Sequence, residues 1–231
     1  MKKIVAILLT VMLIIGCCPA FAAGRLSVVQ ENFHYIPGYW NYGYVYTKVE
    51  NIGDRPIKVN AGVLEMYDAN GEVITSTDYV NAFATYLMPG EYTYVKMYED
   101  FDEDAAVPND YMVTLTGKSD SSKVALRLPV ESNLAMHVVD GWREYNYMYA
   151  TVTNNTDEVL FDVNVALALL DAEGNILYVD SHNTYSTLGI NPGSTVTIRV
   201  DINSSFMDYF EANEIVPASV DAIAYVLIDN D

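Results

Sequence analysis

Cysteine is confined to Cys17 and Cys18, and none follows Ala22. That excludes a disulfide framework, a thiolate nucleophile and a cysteine-ligated metal from the rest of the chain. Basic residues are scarce too: 12 Lys plus Arg stand against 31 Asp plus Glu, a net charge of −19 that becomes −21 once Lys2 and Lys3 are removed. So acidic a surface repels phosphate backbones and anionic lipid, which rules out nucleic acid as a partner. There are three histidines, His34, His137 and His182, and none has a second histidine or cysteine at metal-ligand spacing. No serine sits in a nucleophile elbow, and no glycine-rich run opens a helix to hold phosphate. With 31 acidic residues a glycosidase-type carboxylate pair is compatible with composition, but a cleft needs loops, and here the loops are short. The chain therefore reads as non-enzymatic, with no cofactor and no metal.

Long apolar runs are missing as well. The run Ile4 to Ile15 has 12 residues, short of the roughly 20 that a spanning helix needs. Two lysines precede it and Ala20-Phe21-Ala22 follows it, so residues 1–22 read as a secretory signal peptide cleaved after Ala22. A second reading stays open: Ile14-Ile15-Gly16-Cys17 resembles the lipobox of bacterial lipoproteins, which makes Cys17 the candidate for lipidation. Both readings predict export, to the extracellular space or the cell envelope. A lipid at Cys17 would be the mature chain's sole membrane attachment.

What the chain does contain is one unit written twice. Shifted by 103 residues, YGYVYTKVENIGDRPIKVNAGVLEMYDANGEVI (42–74) falls without a gap on YNYMYATVTNNTDEVLFDVNVALALLDAEGNIL (145–177). Pro89-Gly90 then falls on Pro192-Gly193 and His34 on His137, so the two histidines are expected to share a structural place near the first strand. Copy two carries six extra residues around Asn203 to Asn213, with a helix-like stretch at Ser205 to Ala212. The organisation expected is a signal peptide at 1–22, repeat one at 24–117, a linker or shared strand at 118–130 and repeat two at 131–231.

Within each copy the apolar period is two. Thr93, Val95 and Met97 alternate with Tyr92, Tyr94 and Lys96, as Val196, Ile198 and Val200 alternate with Thr195, Thr197 and Arg199, the pattern of half-buried strands. Asp68-Ala69-Asn70-Gly71 and Asp171-Ala172-Glu173-Gly174 suit tight hairpins, and each Pro-Gly pair suits a type II turn. Many short strands in units of this size predict an all-β fold of two tandem immunoglobulin-like β-sandwiches.

These residues carry a family resemblance. Each copy resembles an FxLYD domain, a bacterial module named for a strand motif ending in aspartate: Leu64-Glu65-Met66-Tyr67-Asp68 in copy one and Leu167-Ala168-Leu169-Leu170-Asp171 in copy two. The Val-x-Asn steps (Val49 to Asn51, Val152 to Asn154), the glycines Gly71 and Gly174 and the Pro-Gly turns accompany it. Leucine replaces the phenylalanine of the name in both copies, and Leu170 replaces the tyrosine in copy two. The resemblance implies an exported immunoglobulin-like module without catalysis and carries over no catalytic residues.

The candidate binding residues are aromatic. Trp40, Tyr42, Tyr44 and Tyr46 occupy every second position of one strand, and Tyr145, Tyr147 and Tyr149 match the three tyrosines in copy two. The opposite face holds Val45, Thr47 and Val49, or Met148, Ala150 and Val152, which suit a sandwich interior. The tyrosine faces are therefore expected to point outward, joined by Tyr92, Tyr94 and Tyr98 if that strand belongs to the same sheet. Such rows stabilise sheets by cross-strand pairing, and they also serve protein or glycan contacts. Three functions follow: a surface binding, adhesion or spacer module whose partner is a protein or glycan at the cell surface, an accessory carbohydrate-binding module of a hydrolase, or a calcium-stabilised structural protein. The calcium reading rests on the acidic run Glu99, Asp100, Asp102, Glu103 and Asp104, which copy two does not share. Asn154-Asn155-Thr156 matches a glycosylation sequon by letters and reads as a turn.

Overall fold

The computed structural model describes residues 24–37, 41–101, 105–185 and 189–230. Trp40, Cys17, the expected signal peptide and Asp102 to Asp104 lie outside the described residues. The rest is all-β apart from one short helix. Copy one supplies β1 (Leu26–Ile36), β2 (Asn41–Asn51), β3 (Ile57–Tyr67), β4 (Val73–Thr77), β5 (Asn81–Ala82), β6 (Tyr86–Leu87), β7 (Tyr92–Phe101) and β8 (Asp110–Ser119). Its front sheet runs β1-β2-β7-β5; in its back sheet β3 pairs with β4, β6 and β8.

Copy two supplies β9 (Lys123–Leu128), β10 (Val130–Asp140), β11 (Arg143–Thr153), β12 (Asn164–Leu170), β13 (Ile176–Asn183), β14 (Thr195–Asp201), α1 (Ser204–Ala212) and β15 (Ser219–Asp229). Its front sheet is β10-β11-β14 and its back sheet β13-β12-β15-β9. The segment between the repeats thus becomes strand β9, hydrogen-bonded to β15 from Leu128↔Ala224 to Lys123↔Asp229.

Local chemistry explains why both copies fold alike. Gly90 and Gly193 take φ of 80° and 71° after their prolines, and Glu91 N and Ser194 N donate back to Met88 O and Asn191 O at 3.0 Å each, closing type II turns. Asp68 accepts the amides of Asn70 and Glu72 through Oδ1 at 2.8 Å, and Gly71 at φ 81° completes the hairpin. Asn51 and Asn154, both fully buried, brace the loop that leaves β2 or β11. Asn51 Nδ2 donates to Arg55 O and Leu87 O, and Asn154 Nδ2 donates to Glu158 O and Ile190 O. The sequon asparagine is therefore a loop brace, with Thr156 donating its N–H and hydroxyl to Asn154 Oδ1.

Alternation then sets the layers. In copy one Val45, Val49, Val95 and Met97 from the front meet Ile57, Val59, Leu64 and Met66 from the back. In copy two Met148, Ala150, Val152, Ile198 and Val200 meet Val165, Leu167 and Leu169. The second core does not stop at its own sheets: it continues into copy one through Ile36, Tyr46 and Tyr94. The two sandwiches share a buried seam.

Candidate functional site

The first tyrosine row lies on that seam. Register pairs Tyr44 with Tyr98, Tyr46 with Lys96 and Lys48 with Tyr94, so β2 and β7 place their aromatic side chains on one face of the front sheet. Tyr42, Tyr44 and Tyr46 stack along the strand at 5.7 and 6.1 Å between centroids. The face is not open. Tyr46 is fully buried and Tyr94 is 1% exposed, against Tyr178 and Phe206 for the former and Asp221 for the latter. This corrects the expectation of an outward face for Tyr44 and Tyr46; copy two covers it.

Small residues make the cover possible. Ala125 of β9, Ala166 of β12 and Ile223 and Tyr225 of β15 form a buried cluster with Ala84, Phe83 and Tyr92 of copy one. At the equivalent places copy one carries the exposed Val63, Thr114 and Thr116, so the back sheet of copy two has lost its polar outer face where large rings must fit. Polar groups then fix the docking. The Asp221 carboxylate accepts the hydroxyls of Tyr92 at 2.9 Å and Tyr94 at 2.5 Å, with Lys48 Nζ at 3.4 Å. Lys48 Nζ also sits 3.8 Å from the Tyr92 ring centroid. Arg127 Nη2 donates to Tyr92 O at 2.8 Å, and the Tyr225 hydroxyl donates to Phe83 O. Gln30 and Asn32 donate their side-chain amides to Gly174 O and Ile176 O at 2.7 Å each. Burial, and then the charge and hydrogen bond of Asp221, push the Tyr92 and Tyr94 hydroxyls well above the usual phenol range. Burial above all raises Tyr44 to about 12. None of these tyrosines is poised for proton transfer near neutral pH.

Helix α1 locks the end of the seam. Asn203 caps it by accepting Ser205 N at 2.9 Å, and Phe206 and Phe210, one turn apart, are its buried residues. They surround His34 together with Tyr209 and Tyr46, with ring centroids 5.6 to 6.4 Å away. Burial holds the imidazole down at about 4, with the Ile176 backbone pulling weakly the other way, so it is neutral. His137 does not share this place, which corrects the expectation of equivalence. In copy one a register shift between Val28 and Gln30 sets His34 opposite Tyr44; in copy two the irregularity falls between Ala135 and Val138, and Ala135 stands opposite Tyr147. His137 is left exposed at φ 57°, its Nδ1 2.6 Å from Glu144 Oε1.

The second row has no such cover. Tyr145, Tyr147 and Tyr149 lie on the outer face of the copy-two front sheet, with centroids 5.7 and 5.9 Å apart. Tyr145 and Tyr149 are half-buried. Tyr147 is 6% exposed because its neighbours and the Arg199 guanidinium, 4.5 Å from its centroid, lie against it at the surface. The positions that match Lys48, Tyr92 and Tyr94 hold Thr151, Thr195 and Thr197, and Thr151 Oγ1 is 3.1 Å from Thr197 Oγ1. Threonine suits a sheet face that meets water.

Among the described residues no three His, Cys, Asp or Glu side chains are grouped to hold a metal ion, and no helix is long and apolar enough to cross a membrane. Sequence reasoning missed Asp221, Arg127 and Ala166. The signal was the unbroken apolar run Val165 to Leu170, which marks a strand buried on both faces.

No protein-family model matches this chain, and no curated protein matches it. Among solved structures it is similar to red sea bream transglutaminase, at 14% identity and a TM-score of 0.21, over 77% of this chain and 27% of that one. The chain thus spans about a quarter of that protein's length, and a likeness at this score carries no argument.

Proposed function

We propose that the chain is a non-enzymatic, exported bacterial protein that acts at the cell surface or outside the cell as a contact and spacing module. On this reading each copy is an FxLYD-like, immunoglobulin-like unit, and the leader is either cleaved after Ala22 or lipidated at Cys17. The observation that carries the proposal is the asymmetry of the tyrosine rows. Tyr44 and Tyr46 of copy one are consumed by stacking the copies, while among the described residues no ring of copy one lies on their counterparts Tyr147 and Tyr149, and Tyr145 and Tyr149 stay half-exposed on an outer sheet face. A seam anchored by Asp221 and filled by Phe206 and Tyr46 makes the pair a stiff spacer. Tyrosine combines contact area with a hydroxyl and few rotatable bonds, which suits a protein contact.

Photo-crosslinking on intact cells tests it. A crosslinking side chain at Tyr149 should capture a protein partner and one at Tyr79, exposed on copy one, should not. Glycan arrays that lit up through Tyr145 and Tyr149 would move the function to the carbohydrate-binding class, and capture from neither site would sink the contact role.

A further inference from the structure

The insertion that gives copy two its helix also builds a cleft. One side of α1 seats Phe206 against the seam; another side, with the β10–β11 hairpin and residues 215–217, encloses about 960 Å³. That lies at the upper end of the roughly 300–1,000 Å³ typical of small-molecule sites. Its apolar lining is Met136, Met207 and Ile215, all half-buried, with Phe210 beneath them only 1% exposed. Its charged lining is acidic apart from His137: Glu144 comes from β11, Asp201 from β14, and Asp208 and Glu211 from α1. No lysine or arginine occurs from residue 200 to residue 231.

The helical pair is placed against its own electrostatics. Glu211 stands in the last turn of α1, where exposed carbonyls gather negative charge and a cation is favoured, and that turn has no basic residue. Asp208, three residues earlier, adds a like charge on the same side. Neither carboxylate has a basic partner among the described residues, whereas Asp201 pairs with Arg199 at 3.3 Å and Glu144 with His137. An external cation would relieve this repulsion. The apolar lining asks that the same ligand also carry methylenes.

We propose that this cleft binds a linear aliphatic polyamine, its ammonium groups on Glu144, Asp208 and Glu211 and its methylene chain across Met207 and Ile215. Divalent metal fits poorly, because calcium or magnesium needs six or more converging oxygens, and among the described residues no three His, Cys, Asp or Glu side chains are grouped to hold a metal ion. A peptide would look for a strand edge or other main-chain partners, which the side chains of this lining do not provide.

Titration calorimetry of the full chain at low salt, with spermidine, 1,7-diaminoheptane, ethylenediamine and magnesium chloride, tests the assignment. Affinity should rise with methylene spacing, with spermidine bound at least about tenfold tighter than ethylenediamine. The D208N/E211Q variant should lose about tenfold in spermidine affinity while melting no lower than the parent, since it removes like charges from the negative end of a helix. E31Q/E65Q, on copy one, should change nothing. Equal affinity for ethylenediamine and magnesium would reveal counterion condensation only and overturn the proposal. So would spermidine binding that survives D208N/E211Q, or no binding at millimolar spermidine.

Discussion

Tyr94 of copy one donates its hydroxyl to Asp221 of copy two at 2.5 Å, across 127 residues of chain. The same carboxylate accepts from Tyr92 and pairs with Lys48, so one acidic side chain gathers three polar groups of the opposing sheet. A sheet face that could have met solvent is thereby registered against a second sandwich.

Removing that acceptor should loosen the seam. Asp221→Ala leaves two tyrosine hydroxyls without their partner, at a cost of about 2 kcal/mol for hydrogen bonds to a charged group. For a chain of this size that lowers the melting temperature by about 4–8 °C. Calorimetry of the variant checks it, and Asp229→Ala, which breaks only the exposed pair with Lys123, should melt like the parent.

The two buried tyrosines should respond differently to loss of the hydroxyl. Tyr46 Oη is buried near the Val179 backbone without hydrogen-bonding geometry, so Tyr46→Phe should be neutral or slightly stabilising. Tyr94→Phe forfeits a bond to Asp221 and should cost about 1 kcal/mol. Urea denaturation of both variants measures the contrast.

Overpacking should separate the back sheet of copy two from copy one. Ala166 is fully buried at the seam, and Ala166→Leu should cost about 1–3 kcal/mol by forcing the sheets apart. The matching position in copy one, Val63, is 39% exposed, and Val63→Leu should change the denaturation midpoint little.

Acid should act through His34. Its pKa is held at about 4 in the fold against an ordinary value near 6.5, so the unfolded chain binds the proton more readily. The sign follows: the contribution is fully present above about pH 6.5 and lost as pH falls from there through 4, reaching about 3 kcal/mol at most. The groups facing the ring are Asn32, Tyr46, Phe206, Tyr209 and Phe210, and none is a carboxylate that would reward protonation. The difference in stability between the parent and His34→Phe should shrink or invert as pH drops from 7 to 4.5 in guanidinium titrations. A difference constant with pH would remove His34 from the acid response.

Much of the fold was legible because local rules repeat in both copies. The 103-residue shift, the Pro-Gly turns, the Asp-to-Gly hairpins and the period-two strands all specify a sandwich without reference to distant residues. Even α1 announced itself as an insertion with helical spacing. The stacking was harder to read, because Tyr42, Tyr44 and Tyr46 carry the same letters as Tyr145, Tyr147 and Tyr149 whether covered or open. The difference is written in the cover. Copy two replaces the outward Val63 and Glu65 with Ala166 and Ala168, and Met112 with Asp221, making β12 apolar on both faces. The pairing of His34 with His137 misled because an irregularity in β10 shifts the strand without changing the sequence alignment.

The most direct test of the account is tyrosine accessibility, read by peptide mass spectrometry after brief hydroxyl-radical exposure of the folded chain. Stacked copies predict that Tyr46 and Tyr94 stay protected, Tyr145 and Tyr149 react, and Asp221→Ala raises the reactivity of Tyr94. Equal reactivity of the two rows in the parent chain would contradict the claim that copy two seals the tyrosine face of copy one.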